Sequence, residues 1–200
     1  MKVRNQLNRA VLILPFIFGS ICGTAAEFIK PKDGVVYVYK DQEGQEISNK
    51  VLGSTKDSFL VESAQRGPYE ILASQLSLIK RENATITAEE RSKALALFPL
   101  KVGNRVEFEY ERDAIGIQGR SKKSVTSTVL GTERVKTPLG DLDTYVIETI
   151  QLTPPSFENR NKCWYAPSIG LCVKYEATIK SPVAQNNRSW TGDMVKYSAP

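Results

Sequence analysis

Between Arg105 and Glu111 the chain alternates without a fault. Val106, Phe108 and Tyr110 fall on one side, and Glu107, Glu109 and Glu111 on the other. Period two is the pattern of a strand with one buried and one wet face; a helix would scatter these residues around its axis. Similar segments recur along the chain. Val35 to Tyr39 reads as a strand apolar on both faces, followed by a turn at Asp41-Gln42-Glu43-Gly44. Residues 46–55 and 57–63 read as two further strands, with weaker candidates at Tyr69–Leu72 and Leu76–Ile79. After the alternating segment come strands over about 124–137 and 142–152, a turn between them at Pro138-Leu139-Gly140-Asp141, and a break at Thr153-Pro154-Pro155-Ser156. Lys162–Tyr165 and Leu171–Ile179 read as a hairpin, and Trp190–Tyr197 as a last strand. So many short strands punctuated by turn residues predict a mainly β fold.

One helix interrupts the series. Thr87-Ala88-Glu89-Glu90 has the spacing of a capping box, with Thr87 as N-cap and Glu90 three residues on. Strong helix formers run from Ala88 to Leu97, and Pro99 ends them. A helix over about 87–97 therefore separates two β lobes, about 27–86 and 98–200, of one β-rich domain spanning 27–200. The halves share features: Gly34 precedes Tyr37 and Tyr39 as Gly103 precedes Phe108 and Tyr110, and Val51-Leu52-Gly53-Ser54 parallels Val129-Leu130-Gly131-Thr132. A degenerate duplication would produce this likeness, and so would the general similarity of strands that follow turns.

The first 26 residues set the compartment. Lys2, Arg4 and Arg9 precede an apolar run from Ala10 to Ile21, and Thr24-Ala25-Ala26 is a small-residue cleavage site. This is a secretion signal over 1–26, and its apolar run is too short to span a bilayer, so no transmembrane segment is expected in the mature chain. The expected location is periplasmic or secreted after cleavage near Ala26. Lipidation at Cys22 is the less favoured route, because a lipobox wants a small residue where this chain has Ile21. Of 27 Lys+Arg and 22 Asp+Glu in the whole chain, three basic residues leave with the signal. That leaves 24 against 22, a balance of +2, which gives no reason to expect nucleic acid as a partner.

The chain contains no histidine. Ser-His-Asp and Cys-His catalysis, His-ligated zinc and imidazole acid–base chemistry are thereby excluded, and no cofactor or metal is expected. Outside the signal two cysteines remain, Cys163 and Cys172. An even pair in an oxidising compartment predicts a disulfide. With the hairpin turn centred between Pro167 and Ser168, the two would lie directly opposite each other.

The second half resembles a family of uncharacterised exported bacterial β-proteins. The resemblance rests on Phe98-Pro99-Leu100-Lys101-Val102-Gly103, on Val129-Leu130-Gly131-Thr132-Glu133, and on Pro138-Leu139-Gly140-Asp141-Leu142-Asp143. It continues through Trp164-Tyr165-Ala166-Pro167-Ser168-Ile169-Gly170 and Val173-Lys174-Tyr175-Glu176. It covers roughly residues 98–176, with a weaker match from Gly34 to Gly44. The family often has Phe where this chain has Leu142, and a Trp where it has Val106 or Phe108. The resemblance implies a curved antiparallel sheet or half-barrel similar in shape to lipoprotein carriers, and it carries over no catalytic residue.

Candidate sites follow from shape. A curved sheet needs something on its concave side, and a helix of ten residues, about 15 Å long, covers only part of it. An apolar groove lined by Tyr37, Tyr39, Phe108 and Tyr110 is expected there, suited to an acyl chain. Trp164 and Tyr165 form a second aromatic pair, more readily explained as core. The Glu107, Glu109, Glu111 stripe reads as a solvated face, and Arg120, Lys122 and Lys123 as a solvated loop end. The expected function is non-catalytic binding or scaffolding in the cell envelope, with a lipid, lipoprotein or cell-wall component as partner. The alternative is a histidine-free hydrolase using carboxylates or a Ser-Lys pair.

Overall fold

The computed structural model describes residues 25–75, 77–79, 84–113, 119–154 and 156–200. The signal expected over the first 26 residues lies outside these except for Ala25 and Ala26. The fold is mainly β: one open antiparallel sheet with a single α-helix among the described residues. Its strands are β1 (Val36–Asp41), β2 (Glu46–Ser54), β3 (Ser58–Ser63), β4 (Gly67–Leu72), β5 (Ser77–Ile79) and β6 (Ala84–Thr85). After α1 (Ala88–Leu95) come β7 (Arg105–Asp113), β8 (Arg120–Thr137), β9 (Gly140–Thr153), β10 (Phe157–Ala166), β11 (Leu171–Lys180) and β12 (Arg188–Ser198).

The twelve strands lie in the order β5-β4-β3-β2-β1-β12-β11-β10-β9-β8-β7-β6. Every neighbouring pair is consecutive in sequence except β1 and β12. The sheet is thus two meanders running outward from a central seam where the first strand pairs with the last, Tyr37 opposite Tyr197 and Lys40 opposite Asp193.

The helix draws the two flanks together. Thr87 caps it, its hydroxyl accepting from the Glu90 N–H at 3.2 Å. The expected reciprocal half of the capping box is replaced by a tertiary bond. The Glu90 carboxylate takes the Glu109 N–H of β7 at 2.7 Å and Lys93 at 2.6 Å. The helix ends at Leu95, two residues before the expected limit, and Leu97 turns fully inward. On its other side Arg91 grips Glu70 of β4 through two bonds of 2.8 and 2.9 Å, with Asp57 at 3.7 Å. Beneath it Leu72, Ala94, Phe108, Tyr110 and Val125 form a core that joins β4 to β7 and β8. The sheet therefore curves until its flanks meet across α1, although its hydrogen-bonded ladder stays open.

A second core packs Leu97 and Leu100 against Val129, Tyr145, Ile147, Cys163 and Tyr165. The arm that follows the expected cleavage site closes this end. Phe28 packs on Phe98 and Phe98 on Tyr165, at centroid distances of 5.2 and 5.7 Å. The Tyr165 hydroxyl donates to the Ile29 carbonyl at 3.1 Å and accepts from the Ile29 N–H at 3.2 Å. Gly170, at φ +71°, lets the hairpin turn pass the same carbonyl; a Cβ there would collide with it. Ala26 is bridged to Leu100 by bonds of 3.3 and 2.7 Å, so a cut after Ala26 removes one partner of that bridge.

Cys163 and Cys172 are bonded, with Cα atoms 5.5 Å apart. The register differs from the expected one. Cys163 faces Tyr175 and Cys172 faces Tyr165, because the turn closes on Gly170 and β11 carries a bulge beside Trp164. The bulge brings the two cysteines diagonally onto one face, within bridging reach.

Candidate functional site

The concave face of the sheet holds a cavity of about 190 Å³. Period two explains which residues reach it. From β10, Asn159, Asn161 and Cys163 point inward while Arg160 and Trp164 take the opposite face, and Lys162 also borders the cavity. β1 supplies Tyr37 and Tyr39, β2 Ile47 and Asn49, β3 Phe59, and β4 Tyr69 and Ile71. Leu171, Cys172, Tyr175 and Ala177 of β11, Trp190 of β12, Gln151 of β9 and Gln75 complete the wall, and Arg66 stands on the exposed turn between β3 and β4.

Aromatic rings set its shape. Tyr37 and Tyr39 meet edge to face at 5.5 Å, and Tyr39 meets Tyr175 in the same way at 5.1 Å. The Tyr39 hydroxyl donates to the Cys172 carbonyl at 2.5 Å, and the Tyr69 hydroxyl to Asn49 Oδ1 at 3.1 Å. Tyr175 lies across Gly192, its partner on β12, where any Cβ would occupy the ring's place. Burial pushes the Tyr37 and Tyr39 phenols well above their ordinary 10.0 and raises those of Tyr69 and Tyr175, so all four stay neutral at physiological pH.

The segment Ala73–Gln75 divides this cavity from the core under the helix. It crosses the concave side, where Thr149 and Ser127 donate to the Ser74 carbonyl at 3.2 and 3.4 Å. Gln75 is left-handed at φ 65°, an uncommon conformation for a residue other than glycine. Its Nε2 donates to the Ala73 carbonyl at 3.0 Å. Its Oε1 lies 3.3 Å from Cys172 Sγ and 4.0 Å from Cys163 Sγ. A disulfide sulfur has no proton to give, so these are packing contacts rather than hydrogen bonds.

The four aromatics expected in one groove fall in two places. Tyr37 and Tyr39 border the cavity, and Tyr37 is at the same time part of a core with Val35, Val51, Phe59 and Val61. Phe108 and Tyr110 are packed beneath α1, where the Tyr110 hydroxyl donates to Gln151 Oε1 at 2.9 Å. Trp164 and Tyr165 are separated by the pleat: Trp164 donates to Glu133 at 2.7 Å and carries Lys174 over its ring, whereas Tyr165 packs in the second core. The basic residues expected at a loop end sit in β8 against the acidic stripe. Arg120 pairs with Glu111 and Asp113, and Lys122 with Glu109. The amides of the cavity escaped the sequence reading. Asn159 and Asn161 alternate in register with Cys163, and that is the signal that could have found them.

No protein-family model matches the chain, and no curated protein matches its sequence. Solved structures resemble it. The hypothetical lipoprotein YmcC from Escherichia coli aligns over 83% of this chain and 85% of its own, with 16% identity and a TM-score of 0.51. An exported protein of Bacteroides fragilis described as having a YmcC-like fold aligns over 87% of this chain and 100% of its own at 16% identity, with a TM-score of 0.44. A protein of Parabacteroides distasonis described as a lipoprotein aligns over 88% of this chain and 100% of its own at 13% identity, with a TM-score of 0.41. At these identities the likeness to YmcC is one of fold.

Proposed function

We propose that this chain is a non-catalytic binding protein of the cell envelope, with the concave cavity as its site. One observation carries the reading: the wall combines aromatic rings with five amide side chains and the cations Arg66 and Lys162, and no Asp or Glu is among its described lining residues. A carboxylate-based hydrolase needs two converging ionisable acids. The buried carboxylates nearest to that description, Glu70 and Asp57, belong to the Arg91 pairs under the helix. The fold shared with a hypothetical lipoprotein, together with the export signal read from the sequence, supports an envelope setting.

Size narrows the ligand. A cavity of about 150 Å³ takes a benzene ring, and pockets that enclose drug-sized molecules start at about 300 Å³. At about 190 Å³ this one suits a ring-sized group rather than a whole acyl chain. Of the lipid, lipoprotein and cell-wall partners expected from the sequence, the amides favour cell-wall material. Native mass spectrometry on protein recovered from the exported fraction tests this. A small retained ligand is expected, absent from an Ala177→Phe variant of unchanged fold in which the new ring fills the cavity. Ligand-free protein that binds nothing from envelope extracts would leave scaffolding as the better account.

A further inference from the structure

We infer that the cavity is a subsite for a single sugar ring, gripped through its hydroxyls by Gln75, Asn159 and Gln151. This rests on the cavity being the binding site. The hydrogen-bonding capacity of the amides, taken one by one, points there.

Asn49 is committed to the protein: Nδ2 donates to the Ile47 carbonyl at 3.2 Å, and Oδ1 receives the Tyr69 hydroxyl. Gln151 and Gln75 are half used. Gln151 spends its oxygen on Tyr110 and keeps its NH₂. Gln75 spends its nitrogen on Ala73, and its oxygen faces only disulfide sulfurs. Asn159 Oδ1 is buried without a hydrogen-bond partner among the described residues. The wall thus offers unpaired acceptors and an unpaired donor in one small space. Such groups are costly to cover with anything that cannot pair with them.

Three ligand chemistries can be compared on this ground. A hydrocarbon chain pairs with none of these groups. A phosphate or carboxylate oxygen only accepts: it would pair with Arg66, Lys162 and the Gln151 amide but leave the Gln75 and buried Asn159 oxygens unsatisfied. A hydroxyl both donates and accepts, and a polyhydroxylated ring presents several of them around an apolar face. The tyrosines and Trp190 supply flat surfaces for that face. The volume admits one such ring.

Gln75 adds an independent mark. Its left-handed backbone is a strained choice for a glutamine, and residues of that kind cluster at ligand clamps. Glycine would relieve the strain and still follow the chain, but it would remove the amide.

The test uses the exported, disulfide-bonded chain and saturation-transfer NMR, with glucose, N-acetylglucosamine and glucuronate as probes. Oleate and phosphatidylglycerol vesicles form a second arm. At least one sugar should bind, with saturation on its ring protons. Gln75→Gly should weaken that binding about tenfold while the melting temperature holds or rises. Asn159→Ala should weaken it by a similar factor, and it decides the matter if the Gln75→Gly variant fails to fold. Sugar affinity unchanged in both variants overturns the assignment. Binding of oleate or vesicles but of no sugar, abolished by Ala177→Phe, leaves the cavity as the site and overturns the sugar. No binding in either arm overturns the cavity itself.

Discussion

The concave side of this sheet holds two aromatic neighbourhoods a few residues apart, and they are built differently. Under the helix, Phe108 and Tyr110 meet Leu72, Ala94 and Val125 in a dry core. Beyond Ala73–Gln75, Tyr37, Tyr39, Tyr69 and Tyr175 face amides across a cavity. Both sets come from strands with similar patterning. What differs is the covering element. The helix presents a small apolar side chain, Ala94, and fastens itself by Arg91 and Glu90, so the rings beneath it pack closely. The crossing segment presents Gln75, which neither fills the space nor finishes its own hydrogen bonding. An aromatic strand therefore makes a core or a site according to what is laid over it.

The largest test of that contrast is Phe108→Ala. Truncating a ring in a packed core should cost about 4 kcal/mol in urea unfolding. Ligand retention should persist below the transition. A loss under about 1 kcal/mol would mean that this region is no better packed than the cavity. Joint replacement of Cys163 and Cys172 by Ser should cost about 2–3 kcal/mol and should also disturb the cavity, because the disulfide forms part of its wall. A stability loss with ligand binding untouched would make the bond a staple only.

Tyr39→Phe should cost about 1 kcal/mol by deleting the bond to the Cys172 carbonyl. Its ring contacts should survive, and the near-ultraviolet dichroism of the tyrosines should change little. A loss as large as that of Phe108→Ala would place Tyr39 in a packed core instead. The smallest effect expected is a dependence on pH. The Lys93 ammonium beside Glu90, with the Glu109 N–H, holds the Glu90 carboxyl below its ordinary 4.5. A group depressed on folding stabilises fully above its unfolded value, and that contribution disappears as pH falls through the folded one. Stability measured between about pH 5 and 3 should therefore fall less steeply in Glu90→Gln than in the parent chain. Identical slopes would show that this carboxylate does not fasten the helix.

Much of the fold was legible in the residues. The alternation at Val106, Phe108 and Tyr110, the turn at Asp41–Gly44 and the cap at Thr87 are local signals, each produced by a few neighbouring side chains. They correspond to β7, the β1–β2 turn and α1. Half of the capping box did not form, because Glu90 found the β7 backbone, a partner that no local pattern reveals. The cysteine register was displaced by a bulge and by a turn that closes on Gly170 beside the Ile29 carbonyl, contacts that depend on a distant arm.

Residue type and short spacing were enough for the strand periods, the helix α1, the pairing of the two cysteines and the absence of imidazole chemistry. They were not enough for the pairing of β1 with β12, for the bridging of both flanks by α1, or for the division of the rings, with Tyr37 and Tyr39 bordering a cavity and Phe108 and Tyr110 packed beneath the helix. Each of these is settled in three dimensions, by which surfaces meet when a curved sheet brings residues more than a hundred positions apart into contact, as it does Tyr39 and Cys172. The energy of such a meeting comes from groups that no short window of sequence contains.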